Sequence, residues 1–484
     1  MAAIEYNYIQ KFLIFAKLTQ PLHVGSAGGK SEEVLIHPVT RKPYLQASGI
    51  AGPFRAYFAG GRTAEEVGDV FGISGEDLPK EKNMNGELVR ADDVESRIQF
   101  TDGVFVNEPK LELRPHVKID SVTGTVASRD NGGQKFNTEY IGSGAEVKYA
   151  IYLYGKKEDA VADRKLIEDI LSAVQAEAVQ MGGMKSTGCG YMTITEAYVY
   201  SFDMEDEDSR NKWIEEDQLD KSEYDILKIS KLIDKNPVAY TVVISGKTEG
   251  SMLIRAIAVS EVGEDAPDSV NIRNAGKQYI VPGSSLKGAV RNRMESILSY
   301  IGKDLPVWYR EKMIIDAFGG REIELKEDSK KRKNAKDDKY TGRVGNLRFY
   351  DTVVGTIEDN DMAPLQHRIH IDKLTGGVMH TGKFSEKNMA GDFEMKIAVG
   401  DMNSPDATFA LLVMALRDLM IGIYNLGSGY SVGKGFLTID KVDITDKNNK
   451  KAILTSSSVS DEERLISTCF DALSKAVSLG KEEP

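Results

Sequence analysis

A chain of 484 residues with 41% hydrophobic side chains and 45 glycines is too long for one core, and it predicts two to four globular domains rich in turns. A formal net charge of −12 excludes general affinity for polyanions, so any nucleic-acid surface has to be a local stripe. Two cysteines, Cys189 and Cys469, point to the reducing cytoplasm and away from paired zinc ligands; no segment reads as a signal peptide, and the longest apolar stretch, from Ala407, is broken by Arg417 and Asp418 and predicts a buried helix rather than a membrane span.

In chain order, residues 1–201 read as strand, turn, helix, several β-rich segments, helix, glycine-rich turn and strand. The helix start is LQASGIAGPFR, ending at Arg55. VFGISG follows from Val70, SRIQFTDGVF around Asp102, HVKIDSVTG from His116, Glu139 ahead of a strand-like run, and GGMKSTGCGYMTI from Gly182. Residues 202–236 form an acidic, helix-prone linker, expected to be solvated. Residues 237–446 then repeat the series: VPGSSLKGAVR ending at Arg291, AFGGRE from Ala317, GNLRFYDTVV around Asp351, RIHIDKLTG from Arg368, Glu386 ahead of a strand-like run, and GSGYSVGKGFLTI from Gly427. Matches in one order at nearly constant spacing mark a tandem duplication. A basic insertion, about 324–346, interrupts the second unit, and residues 447–484 make a helical tail with apolar residues at helical spacing.

The segment VPGSSLKGAVR fails as a nucleotide P-loop. Only Ser284, Ser285 and Leu286 separate Gly283 from Lys287, and Gly288 stands where the metal-binding hydroxyl belongs. What remains is a strand, a turn and a helix start, which favours an anion; an ordinary strand-to-helix turn would look the same. The alternation of apolar β-branched segments with helical periods predicts an α+β fold with a mostly antiparallel sheet, built on a split βαβ, ferredoxin-like core in each unit.

The Pro-Gly-Ser-Ser-Leu-Lys-Gly helix start, the Phe-Gly pair some thirty residues later, the Ile-Asp…Thr-Gly segment and the terminal glycine-rich loop resemble the RAMP superfamily, and more closely the backbone subunits of type III CRISPR effector complexes. The resemblance is fuller in the second unit, since Gln46 and Ala47 replace Pro and Gly in the first. It implies two tandem RRM-like RAMP domains and, as partners, a guide RNA, a complementary target RNA and other subunits of the complex, with no membrane. A guide must keep its bases free, so it is held by its backbone. Ser284, Ser285, Lys287 and Arg291, with Arg55 in the first unit, suit phosphate oxygens; Lys185, Ser186, Gly188, Gly433 and Lys434 form a second set in the glycine-rich loops. The segments after Asp120 and Asp372 correspond to the family's thumb, a hairpin that wedges into the guide–target duplex.

Cleaving relatives carry one Asp ahead of the Pro-Gly-Ser-Ser segment, in support of a divalent metal, and that position here is Asp268, with Asp265 as a neighbour. A carboxylate there would hold magnesium while the ribose 2′-hydroxyl attacks the adjacent phosphorus. The first unit has Ser31, Glu32 and Glu33 in that place; Glu32 is a weaker candidate, and loss of cutting is expected. Two other readings stand beside this one: a purely architectural RNA-binding subunit, and a metal-independent processing endoribonuclease using His23 or His37.

Overall fold

The computed structural model describes residues 6–25, 33–74, 81–82, 88–89, 93–117, 119, 128–129, 132–133, 135–233, 236–256, 267–323, 340–356, 358 and 365–482. Two compact units emerge. The first comprises Met1–Leu111, Glu139–Lys185 and Cys189–Lys235; the second comprises Glu112–Thr138, Ser186–Gly188 and Asn236–Pro484.

In the first unit, β1 (Tyr8–Leu18) leads to α1 (Ala47–Phe58), then to two short strands, β2 (Ile98–Phe100) and β3 (Gly103–Phe105), then β4 (Glu146–Gly155), α2 (Ala160–Gln175) and β5 (Met192–Asp203). β1 lies between β4 and β5, and β2 and β3 both pair with β4, all antiparallel. That order, with a helix after the first and third strand positions, is the split βαβ arrangement of a ferredoxin-like fold. The alternation in β1 puts Phe12, Ile14, Ala16 and Leu18 on the helix-covered face, where they meet Ile50, Phe54 and Phe58 of α1 and Ile167, Ile170, Leu171 and Val174 of α2 in one core. Truncating a ring such as Phe54 to Ala there costs about 3–5 kcal/mol.

The acidic segment departs from the solvated linker expected for residues 202–236. It forms a short helix, Glu207–Ile214, and a strand, β6 (Asp225–Ile226), that pairs with β5. Its few apolar residues account for this. Trp213 sits edge-on to Tyr152 and Phe202 at ring distances of 5.8 and 5.0 Å, and Tyr224 and Leu227 are buried. Glu216 pairs with Lys11 of β1 at 2.5 Å and accepts from the Tyr152 hydroxyl at 2.9 Å. The segment therefore covers the sheet face opposite the helices.

The second unit repeats the fold: β7 (Val238–Glu249), α3 (Gly283–Ile301), β8 (Leu347–Phe349), a hairpin of β9 (Leu365–Ile371) and β10 (Val378–Lys387), then β11 (Asp392–Gly400), α4 (Pro405–Met420) and β12 (Phe436–Asp446). The sheet order is β8–β11–β7–β12. The tail is helical only in its second half. Two strands, β13 (Lys451–Leu454) and β14 (Val459–Ser460), extend the sheet beyond β12, and α5 (Leu465–Glu482) buries Leu465, Ile466, Cys469 and Leu473 in the core. The basic insertion lies outside the described residues over 324–339; its end is structural, since Tyr340–Arg343 pairs with Gly320–Ile323 and Asn346 is buried.

Candidate nucleic-acid interface

Both repeats start their first helix without a side-chain cap of their own. Each takes a carboxylate from the segment that follows the helix. The N–H of Ala47 donates to Asp102 Oδ1 at 2.7 Å, and the N–H of Gly283 donates to Asp351 Oδ1 at 2.8 Å. An anion at a helix N-terminus is favoured by the free N–H groups and the dipole. Here the protein supplies it, which corrects the expectation that these first amides wait for a phosphate. Asp102 and Asp351 stood at matching places in the repeat; their role needed the fold. Asp351 also meets the buried Arg114 at 2.6 Å, and Arg114 contacts the buried Glu112 on the same strand.

Beyond that first amide, the expected contact residues sit on the first two turns of α3 and just after. The Ser284 and Ser285 hydroxyls are half-buried, with no hydrogen-bond partner among the described residues. One turn on, Lys287 Nζ donates to Ser186 Oγ at 2.8 Å and to the Phe318 carbonyl at 3.3 Å. Lys287 has no carboxylate partner among the described residues. Burial, with the neighbouring Arg291 charge, pushes its ammonium down to about 8 from 10.5. Arg291 is exposed, bonded to Glu295 at 2.8 Å and lying over the Phe318 ring at 5.7 Å. Such a surface pair is weak. Arg55 in α1 of the first unit is likewise exposed.

The glycine-rich loops divide. Gly188 is buried with φ +76°, and a Cβ there would lie 2.5 Å from the Phe349 carbonyl oxygen; Gly283 approaches the same oxygen, with a Cβ at 2.1 Å. Gly188 thus serves a close approach of two protein backbones, which corrects its assignment to RNA. Lys185 is exposed, its carbonyl accepting from Gln180 Nε2 at 3.0 Å. Gly433 keeps φ +76° with open space around it, so an RNA strand could come close. Lys434 is a second correction. It is 5% exposed and its ammonium is spent on Glu386 Oε2 at 2.5 Å and Asn388 Oδ1 at 3.2 Å. Burial raises the Glu386 pKa, but the Lys434 hydrogen bond and the charges of Lys434, Arg368 and Arg255 outweigh it and hold the carboxyl below its usual range.

The repeat register also shifts. The bridges Leu22 to Ile141 and Met252 to Met389 align Thr138, rather than Glu139, with Glu386. Where the second repeat has the buried pair Glu386–Lys434, the first has Thr138, whose hydroxyl has no partner among the described residues, and Cys189.

Asp268 is exposed and fastened to the base of the β9–β10 hairpin. Its Oδ2 accepts from the Ser385 N–H at 2.6 Å and from Ser385 Oγ at 3.2 Å, while its own N–H donates to Ser385 Oγ at 3.3 Å. At the hairpin tip, Asp372 Oδ1 accepts from the N–H groups of Leu374 and Thr375 at 2.7 and 3.0 Å, leaving Leu374 96% exposed. Asp265, Glu32 and most of the first hairpin's tip lie outside the described residues. No group of three His, Cys, Asp or Glu that could cage a metal occurs among the described residues. A single carboxylate fits a magnesium ion held in part by RNA phosphates.

His23 is buried and its Nδ1 lies 2.8 Å from the Glu139 carbonyl; His37 Nδ1 accepts the N–H groups of Val39 and Thr40 at 3.2 and 3.1 Å. Both imidazoles are engaged in holding local structure.

A family model for the RAMP superfamily matches residues 15–193 and 245–438, one stretch in each repeat. The chain belongs to the RAMP superfamily. RAMP proteins are in general CRISPR-associated and RNA-binding. No curated protein matches this RAMP chain. No helix among the described residues is long and apolar enough to cross a membrane.

Proposed function

We propose that this tandem RAMP protein is a guide-RNA-binding backbone subunit of a type III CRISPR interference complex, and that its second repeat cuts target RNA at Asp268 in the cytoplasm. The observation that carries the binding role is Lys287, a half-buried ammonium bonded to Ser186 Oγ, on the helix that Ser284 and Ser285 begin, with no carboxylate partner among the described residues. A buried charge without a counter-ion is costly, and a phosphate would relieve it. Charge reversal at Lys287→Glu with Arg291→Glu is expected to abolish co-purification of guide RNA while the circular-dichroism spectrum stays unchanged. Undiminished RNA in the purified variant rules this surface out.

Support for cutting comes from the tether on Asp268. With Oδ2 held by Ser385, Oδ1 has no hydrogen bond among the described residues and is free to accept the proton of an attacking 2′-hydroxyl. Magnesium, when bound at Asp268, would supply charge neutralisation at the phosphate. The architectural alternative predicts a complex that binds target with the same affinity and leaves it intact.

A further inference from the structure

The hairpin carrying the Asp268 tether is the outer part of a three-stranded sheet. Ser269–Val270 runs parallel to β10, with Ser269 beside Glu386, and β10 pairs antiparallel with β9, with Ser385 directly opposite His367. Residues opposite each other on paired strands share a face. Ser385 and His367 therefore share a face, and Asp268, one residue before the parallel strand and bonded to Ser385, lies in line with them across the sheet. The outer members are about two strand spacings apart, roughly 10 Å between backbones. That leaves room for a phosphodiester between a carboxylate and an imidazole. His367 is exposed and has no hydrogen-bond partner among the described residues, so its ring is unoccupied, unlike those of His23 and His37.

The first repeat provides an internal comparison. The hairpin strands align without gaps, LELRPHV with LQHRIHI and KFNTEYI with KFSEKNM. They place Leu113 where His367 stands and Asn137 where Ser385 stands, and the loop ahead has no Asp at the matching place. All three residues change together. A histidine kept only for hairpin structure would have no reason to follow the acid.

On the reading that Asp268 belongs to a target-cutting centre, we infer that His367 is its general acid. The 2′-oxygen attacks the adjacent phosphorus and its proton passes to Asp268; the bond from phosphorus to the 5′-oxygen breaks, and that oxygen takes a proton from the His367 imidazolium. The products are a 2′,3′-cyclic phosphate and a 5′-hydroxyl. The two side chains then re-equilibrate with water. Protons balance, and no oxidant or second substrate is required.

The test uses guide-loaded complex under single-turnover conditions and two target RNAs, one natural and one with sulfur in place of the 5′-oxygen at the cut position. A thiolate leaves without an acid. His367→Gln is expected to cut the natural target about 10²-fold or more slowly, to bind it with unchanged affinity, and to cut the sulfur-substituted target at the wild-type rate. Equal slowing on both targets, or no slowing on either, overturns the assignment. Asp268→Asn serves as the separate control. If it still cuts the natural target, the cutting centre itself is misplaced; if it is inactive on both targets while His367→Gln behaves as wild type, only the role of His367 falls.

Discussion

Lys287 Nζ donates to Ser186 Oγ at 2.8 Å, although the two lie 101 positions apart in the chain. Ser186 comes from the glycine-rich loop of the first repeat and Lys287 from the helix start of the second, yet both belong to one compact unit. Two loops that looked like separate RNA contacts thus share a single donor cluster. The cluster pairs an ammonium with a hydroxyl, and two more hydroxyls stand at the start of α3; on the proposed function a phosphate would accept from them.

The titration of that ammonium gives a pH signature. Its folded value, about 8, lies below the ordinary 10.5, so the charged form costs stability below pH 8 in the free protein, and the cost fades as pH rises from about 8 to 10.5. A bound phosphate favours the charged form, so guide-RNA affinity is expected to fall as pH rises through about 8. Lys287→Arg keeps its charge and should flatten that fall. Filter binding of guide RNA across this range, variant against wild type, decides it; parallel curves would detach the pH effect from Lys287.

Replacing the proposed catalytic carboxylate should separate cutting from binding. Asp268→Ala is expected to slow target cutting by this subunit on the order of 10²-fold or more with unchanged target affinity, because base pairing carries binding and the carboxylate acts only on the transition state. Glu32→Ala should change little. Mapping products to the nucleotide on reconstituted complex, with magnesium, checks both; cutting that survives the first substitution and vanishes with the second would put the active unit in the first repeat.

Glu386 should matter for stability far more than a surface acid. Glu386→Ala leaves Lys434 buried and unpaired, at a cost of about 3–5 kcal/mol, read as a lower urea midpoint. Since the folded pKa of Glu386 lies below 4.5, its contribution is complete above that value and is lost as pH falls through the depressed one. The variant should therefore show a shallower acid destabilisation than the wild type, and identical acid limbs would refute the pairing.

The two borrowed helix caps should respond unequally. Asp102→Ala removes a cap and costs about 1 kcal/mol. Asp351→Ala removes the equivalent cap and also strips one of the two carboxylates from buried Arg114, with Glu112 left in place, so a larger loss than for Asp102→Ala is expected. Equal shifts in the unfolding midpoint would mean that the Arg114 contact contributes nothing.

The duplication and the ferredoxin-like order are legible because they depend on local pattern: turn residues, apolar periodicity and their recurrence. Lys434 and Gly188 differ from their sequence expectation for a common reason, a partner that is distant in the chain. A lysine in a glycine-rich loop reads as solvent-facing until its buried partner is known, and Glu386 lies 48 residues earlier on another element. In sequence Gly188 invites an RNA backbone; in the fold it admits the protein's own at Phe349. The acidic segment misled through composition, since its charges outnumber Trp213, Tyr224 and Leu227 while those three residues decide where it lies. Nothing local announced Ser385, whose contribution is one hydroxyl and one amide aimed at a residue 117 positions away.

The ion pair between Arg114 and Asp351 also sets a clock. Arg114 emerges from the ribosome early in synthesis, but the carboxylate at position 351 follows only after the rest of the first repeat and much of the second have been made. At about 5–20 residues per second, that guanidinium and its hairpin strand wait on the order of ten seconds or more before their final surroundings exist. During this interval the nascent chain carries an unfinished sheet edge, which calls for chaperone protection or for slow, dilute expression.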